Sequence, residues 1–139
     1  VTADPKKTME RNTNQRRAIR TVIELADRPL SPQEILDEAK PSVPSLGIAT
    51  VYRTVKALVD EGWLATVDLP GEPSRYEQSG KDHHHHFRCT RCGRVFEIHG
   101  CQNNLTVRAP EGFLTTGHEV FLFGFCRDCN TDDVTKASA

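Results

Sequence analysis

Gly47-Ile48-Ala49-Thr50-Val51-Tyr52-Arg53-Thr54-Val55-Lys56-Ala57-Leu58-Val59-Asp60 sorts into two faces when wound as a helix. Ile48, Val51, Val55, Leu58 and Val59 recur at helical spacing and are expected to face inward. Thr50, Tyr52, Arg53, Thr54 and Lys56 are left outside, and Glu61-Gly62 ends the run. Upstream, Ile19, Val22, Ile23 and Ala26 predict a first helix over 16–26, broken by Asp27-Arg28-Pro29. Ser31-Pro32-Gln33-Glu34 reads as an N-cap, a proline in the first turn and a capping-box glutamate, so a second helix comes next with Ile35, Leu36 and Ala39 inward. Downstream, 63–69 and 75–77 read as strands joined by the turn Pro70-Gly71-Glu72-Pro73. Three short helices and a hairpin, in that order, predict a winged helix-turn-helix, in which the third helix enters the DNA major groove. Arg53 can bridge guanine's two acceptors, Tyr52 can meet bases or phosphates, and Thr50 and Lys56 can hold the backbone. Arg11 and Arg16 are expected to act on phosphates. The same periodicity would also suit a three-helix bundle with a solvated charged face.

The second half is organised by cysteine. Cys89-Thr90-Arg91-Cys92 and Cys126-Arg127-Asp128-Cys129 are two matched C-x-x-C knuckles. Each presents two thiolates to one ion, and together they make a tetrahedral four-cysteine zinc site. Two disulfides or four free thiols are the alternatives. The spacing between the knuckles exceeds that of a simple zinc ribbon, so a small folded unit must fit between them.

Length allows one compact domain or two small ones, and zinc would let a second, small domain hold together without a large core. The 139 residues carry a net charge of −1, which neither demands nor excludes nucleic acid. Lys6, Lys7, Arg11, Arg16, Arg17 and Arg20 load the N-terminus with positive charge, and Asp128, Asp132 and Asp133 mark the tail. No apolar run is long enough to span a membrane, and no signal peptide is evident. Cysteines in zinc spacing fit a reducing compartment, so a cytoplasmic protein is expected.

His83-His84-His85-His86 runs into the first knuckle. On a strand His84 and His86 share one face and His83 and His85 the other, so one short segment can feed two metal sites. Neutral imidazoles suit Zn²⁺, Fe²⁺, Mn²⁺ or Ni²⁺.

In these motifs the chain resembles the ferric uptake regulator (Fur) superfamily. The resemblance is carried by Gly47 to Val55, which looks like that family's recognition helix, and by His83 to Cys89, which looks like its histidine-rich strand and first knuckle. Gly117-His118-Glu119 through Gly124-Phe125-Cys126 looks like its last strand and second knuckle. The motifs fall in the family's order and cover about residues 10–130. The resemblance implies an α+β fold: an N-terminal winged helix-turn-helix, then a small C-terminal α/β dimerization domain with the four-cysteine zinc site. The expected division is 1–78 for DNA binding, with 1–9 disordered, 79–82 as hinge, 83–130 for metal binding and dimerization, and 131–139 as a disordered tail.

Residue by residue, the resemblance implies more. Glu77, His84 and His86 match ligands of a regulatory metal site at the hinge. Many members add a ligand from the loop before the second helix, where this chain has Arg28-Pro29-Leu30 and no histidine. Zinc-sensing members often use a cysteine just after the wing, where Gln78-Ser79-Gly80 stands. Asp68, Asp82 or water would then complete the set. His83, His85 and His118 match a second regulatory site within the dimerization domain. Its usual acidic ligand falls near Asn104, and Cys101 lies close by in sequence. Two readings of Cys101 stand: a soft ligand favouring zinc, or a small buried apolar residue. A short dimer helix is expected over 102–107, with the apolar strand ending in Phe125 supplying more of the dimer contact.

The implied function is a homodimeric, metal-dependent repressor of metal-homeostasis genes that binds a palindromic or nearly palindromic operator, with zinc the first-choice corepressor. An iron-, manganese- or peroxide-responsive regulator is the alternative. A small zinc-dependent enzyme is the other class, and Glu77 and Glu119 would be its candidate bases. No HExxH-type motif accompanies them.

Overall fold

The structure, a computed structural model, describes residues 5–82, 84–99 and 109–130, with Lys7 and Thr8 described by their backbone alone. The chain divides into two compact units between Gly80 and Lys81. That boundary falls inside the stretch expected as a hinge.

The first unit begins with α1 (Pro5–Ala26). The helix thus takes in residues 5–9, part of the stretch expected from sequence to be disordered. Lys6, Met9, Glu10 and Arg11 are unbranched helix formers, and a proline is tolerated in the first turn. Their exposure explains why apolar periodicity gave no warning. The helix ends at Asp27, whose φ of 49° is left-handed.

α2 (Pro32–Ala39) is capped as expected. The Glu34 amide donates to Ser31 Oγ at 3.2 Å, and the Ser31 amide donates to Glu34 Oε1 at 3.1 Å. The two bonds satisfy amides that a helix start otherwise leaves bare. α3 (Ile48–Asp60) comes next, with Gly47 at its N-cap and Gly62 beyond its end at φ 81°. That φ is one a side-chain-bearing residue rarely adopts.

The three helices close on one core of Ile19, Ile23, Leu30, Ile35, Ala39, Leu46, Val51, Val55, Leu58 and Leu64. Ile48 departs from its expected inward position and is 39% exposed, because the first turn of α3 runs past the core. The wing is the antiparallel pair β1 (Leu64–Val67) and β2 (Arg75–Gln78), in register Leu64↔Gln78 to Val67↔Arg75. Leu30 adds a third rung. Its amide donates to the Tyr76 carbonyl and its carbonyl accepts from the Tyr76 amide, both at 2.9 Å. The loop before α2 is thereby stitched to the wing.

The second unit is a three-stranded sheet in the order β4-β3-β5, from β3 (His85–Cys89), β4 (Val95–Ile98) and β5 (Phe121–Gly124). β3 runs antiparallel to β4 and parallel to β5. Among the described residues of this unit, its buried apolar side chains are Cys89, Val95 and Cys126. That is a far smaller core than the first unit's. The helix expected over 102–107 lies outside the described residues, as do 1–4 and 131–139. No helix of the described residues is long and apolar enough to cross a membrane.

Removing the cap by Ser31→Ala is expected to destabilise the first unit by about 1 kcal/mol. Emptying the core by Leu58→Ala should cost about 2–5 kcal/mol. Urea unfolding monitored by the helical far-ultraviolet signal measures both. A Ser31→Ala protein as stable as the parent would contradict the capping box.

Candidate metal centres and nucleic-acid face

Strand register builds the cysteine cluster. Cys89 is the last residue of β3 and lies opposite Gly124, the last residue of β5. Two parallel strands that end side by side deliver their next residues to the same place. The Thr90 amide donates to the Gly124 carbonyl at 2.8 Å and locks the two ends. A Cβ at Gly124 would stand 3.3 Å from the Phe87 ring, so the glycine leaves room for that ring beside the end of β5.

Each knuckle then turns back on itself. In the first, the Gly93 amide donates to the Cys89 carbonyl at 2.9 Å, and Gly93 has φ 76°. In the second, the Cys129 and Asn130 amides both donate to the Cys126 carbonyl, at 3.1 and 2.8 Å.

The four Sγ atoms of Cys89, Cys92, Cys126 and Cys129 lie within 4.8 Å of one another. Cys92 Sγ and Cys126 Sγ are 3.8 Å apart. A tetrahedral zinc with ordinary thiolate bonds needs sulfurs about 3.8 Å apart. All four cysteines are free thiols, so the disulfide alternative is set aside and the cluster is consistent with a structural zinc.

Its electrostatics point the same way. Burial pushes Cys89 up, but amides of Cys92, Cys126 and Arg91 outweigh it and bring the thiol down to about 6. The Cys92 and Cys126 amides donate to its sulfur, both at 3.4 Å. Cys129 is pushed up to about 12 by burial and by its neighbours Cys126, Cys89 and Cys92. Cys92 is raised by burial as well. The Cys89 thiolate is thus favoured while Cys92 and Cys129 resist ionising beside it, a conflict that a divalent cation removes.

The histidines fall into two pairs. The His84 and His86 rings are 4.8 Å apart, edge to face. His84 Nδ1 donates to the Asp82 carbonyl at 2.8 Å, which fixes the tautomer whose lone pair is on Nε2. A backbone partner of this kind is what a metal-ligating histidine uses to hold its ring. His86 lies across from Glu97 in the β3–β4 register. Glu97 is missing from the ligands expected from sequence, yet its side chain is only 2% exposed and is paired with Lys81. Glu77 is a buried residue of β2, opposite Ala65. Of the acids considered as extra ligands, Asp68 accepts from the Ser74 hydroxyl at 2.6 Å and Asp82 is exposed.

On the other face, His85 is buried and His118 exposed, with rings 5.1 Å apart. The Val120 amide donates to His85 Nδ1 at 3.2 Å, which occupies that lone pair. His83 and Cys101 lie outside the described residues.

α3 turns Tyr52, Arg53 and Lys56 to solvent, with Thr50 half-buried, and Tyr52 is 56% exposed. Arg53 Nη2 donates to Thr50 Oγ1 at 3.1 Å. Arg11 is exposed on α1. Arg16 is paired with Glu61, so its guanidinium is shared with an acid. Nothing in local sequence announced that pair, since Arg16 and Glu61 are far apart in the chain.

A sequence profile described as the Ferric uptake regulator family matches residues 7–123. The chain is 32% identical over 123 residues to the ferric uptake regulation protein of Campylobacter jejuni, covering 85% of this chain and 78% of that one. It is 33% identical over 124 residues to the zinc uptake regulation protein of Mycobacterium tuberculosis, covering 87% and 95%. Among solved structures, a zinc-bound manganese uptake regulator superposes with a TM-score of 0.68 at 29% identity, covering 85% of this chain and 94% of that one. The ferric uptake regulator of Helicobacter pylori superposes at 0.62 and 22% identity over 92% and 90%, and so shares the fold.

The sulfur geometry generates one expected outcome. Cys92→Ser should hold about one zinc fewer per chain after purification, measured by elemental analysis. A Cys92→Ser protein with its full zinc content would contradict the cluster as a zinc site.

Proposed function

The chain belongs to the ferric uptake regulator family, and from that premise we propose that it represses metal-homeostasis genes by binding, as a homodimer, a palindromic or nearly palindromic operator when zinc fills its histidine cluster. The family's proteins are dimeric DNA-binding transcription regulators, not enzymes, and this chain is a metal-responsive regulator of that kind. The operator's symmetry, the metal, the ligands and a cytoplasmic setting are our reading.

The observation that carries it is the outer face of α3. A helix whose inner face is fully buried leaves Tyr52, Arg53 and Lys56 in solvent, where core packing does not account for them. Those three side chains have the chemistry for base edges and phosphates. A single helix reads few base pairs, and two-fold symmetry doubles the contact. Homodimerization is further supported by β5, an edge strand that leaves Leu122 and Phe123 about half exposed at 48% and 52%.

For the regulatory metal we propose Glu77, His84 and His86 as ligands, with Glu97 as the additional carboxylate once it leaves Lys81. The His84 tautomer and the Glu97 register support this set. We propose His83, His85, His118 and Cys101 as a second set. His85 would have to surrender its bond from Val120 to join it through Nδ1. Zinc is preferred because the loop before α2 offers Arg28, bound at 2.8 Å to Glu34, where an iron-type site would look for histidine. The C. jejuni relative's name favours iron as the second reading, at nearly the same identity as the zinc regulator. Metal bound by the histidine strand would favour the DNA-competent arrangement only as far as it binds that arrangement better.

Arg53→Ala should lose about 1–3 kcal/mol on a specific duplex and relax sequence preference, measured by fluorescence anisotropy against selected and random DNA. Equal selectivity in variant and parent would sink the assignment of α3. Changing both His84 and His86 to Ala should abolish metal-stimulated DNA binding and leave the zinc of the four cysteines in place. Zinc-independent binding by that double variant at the parent's affinity would move the switch elsewhere. Activation by Fe²⁺ or Mn²⁺ where Zn²⁺ does nothing would replace the metal and keep the regulator.

A further inference from the structure

A cleft of about 410 Å³ lies between α3 and the wing. Tyr52, Arg53, Lys56 and Val59 line it from α3, and Thr66 and Tyr76 line it from the wing. Positions 52, 56 and 59 recur on one face of the helix, and Thr66 and Tyr76 are register partners across the hairpin. Its polar lining is therefore two cations and three hydroxyls, with no carboxylate among the described residues. That inventory complements an anion.

From sequence no side chain of the hairpin was assigned a contact with DNA. Tyr76 differs from the others in rigidity. Its ring packs against the helical core, and its backbone amide and carbonyl are both bonded to Leu30 at 2.9 Å. Tyr52, Arg53 and Lys56 are exposed by comparison. Burial, reinforced by Tyr52 and Asp68, pushes the Tyr76 phenol up, so it stands as a protonated donor at neutral pH. Asp68, the acid felt there, accepts from Ser74 at 2.6 Å.

We propose that this cleft seats one phosphate of the DNA backbone, held by Lys56 and the Tyr76 hydroxyl, and that Tyr76 thereby sets the register in which Tyr52 and Arg53 meet base edges. The inference rests on the reading of α3 as the DNA-contacting helix. Phosphate contacts carry no sequence information but fix orientation on the duplex, and a donor fixed in advance loses no side-chain entropy on binding. Tyr76 is a positioning residue, and it acts on every sequence alike.

The test uses the full chain with zinc supplied. Its probes are a labelled duplex selected by the parent protein from a random pool, and the unselected pool. Tyr76→Phe keeps the ring and removes the hydroxyl. It should weaken binding about tenfold on both probes with their ratio unchanged, at an unchanged melting temperature. Lys56→Gln should lower the salt slope by about one. The double variant should lose less than the product of the two single losses, because both groups hold the same phosphate. On duplexes neutralised one phosphate at a time by methylphosphonate, one position should weaken the parent and leave the double variant unaffected.

Tyr76→Phe binding both probes as the parent does would overturn the proposal, as would the absence of any such phosphate position. If Arg53→Ala loses selectivity while Tyr76→Phe changes nothing, this inference alone fails. If Arg53→Ala keeps full selectivity, the reading of α3 fails with it.

Discussion

Four sulfur atoms drawn within 4.8 Å of one another are the constraint on which the second unit depends. Thiols crowded in this way cannot all ionise without a cation, and the split between Cys89, down to about 6, and Cys129, up to about 12, expresses that conflict. Among its described residues the unit has little else to hold it. Val95 is its fully buried aliphatic side chain among the described residues, and one strand at the edge of its sheet is half exposed. A three-stranded sheet with so small a core is marginal by itself, whereas ligation by four thiolates supplies folding free energy directly. The register Cys89↔Gly124 brings the knuckles together, and the bound ion would in turn hold that register.

The first unit is stabilised in another way. Ten buried apolar side chains, a reciprocal cap at Ser31 and Glu34, and the Leu30–Tyr76 bridge fix three helices and a wing. Glu34 also pairs with Arg28 at 2.8 Å, so the residue that caps α2 also ties down the loop before it. This rigidity has a functional consequence. Base readout depends on side chains projecting from a helix that does not itself move, and α3 is held by Val51, Val55 and Leu58.

Much of this was legible in the chain because it rests on local rules. The cap at Ser31-Pro32-Gln33-Glu34, the faces of 48–60 and the paired knuckles are each set by spacing along the chain. The features that escaped depend on contacts distant in sequence or on missing signals. The N-terminal turns of α1 carry no apolar stripe, so helix propensity alone had to reveal Pro5 to Glu10. Arg16 meets Glu61, Leu30 meets Tyr76 and Val120 meets His85 only once the fold exists. Glu97 could have been found by asking which residue faces His86 across a hairpin, since the knuckle Cys89–Cys92 is itself the turn joining β3 and β4. Ile48 shows the converse failure, a position counted into the core by period and left outside by the end of the helix.

The second unit is accordingly expected to need metal at the four sulfurs, and the first to stand on its apolar core. Amide hydrogen exchange on the full chain, before and after zinc is stripped by a chelator, measures this dependence directly. Protection at Cys89, Thr90 and Cys129 is expected to collapse on stripping and to return with zinc. Protection at Val55, Leu58 and Glu61 should stay unchanged throughout. Persistent protection at Cys89 and Thr90 in zinc-free protein would contradict it.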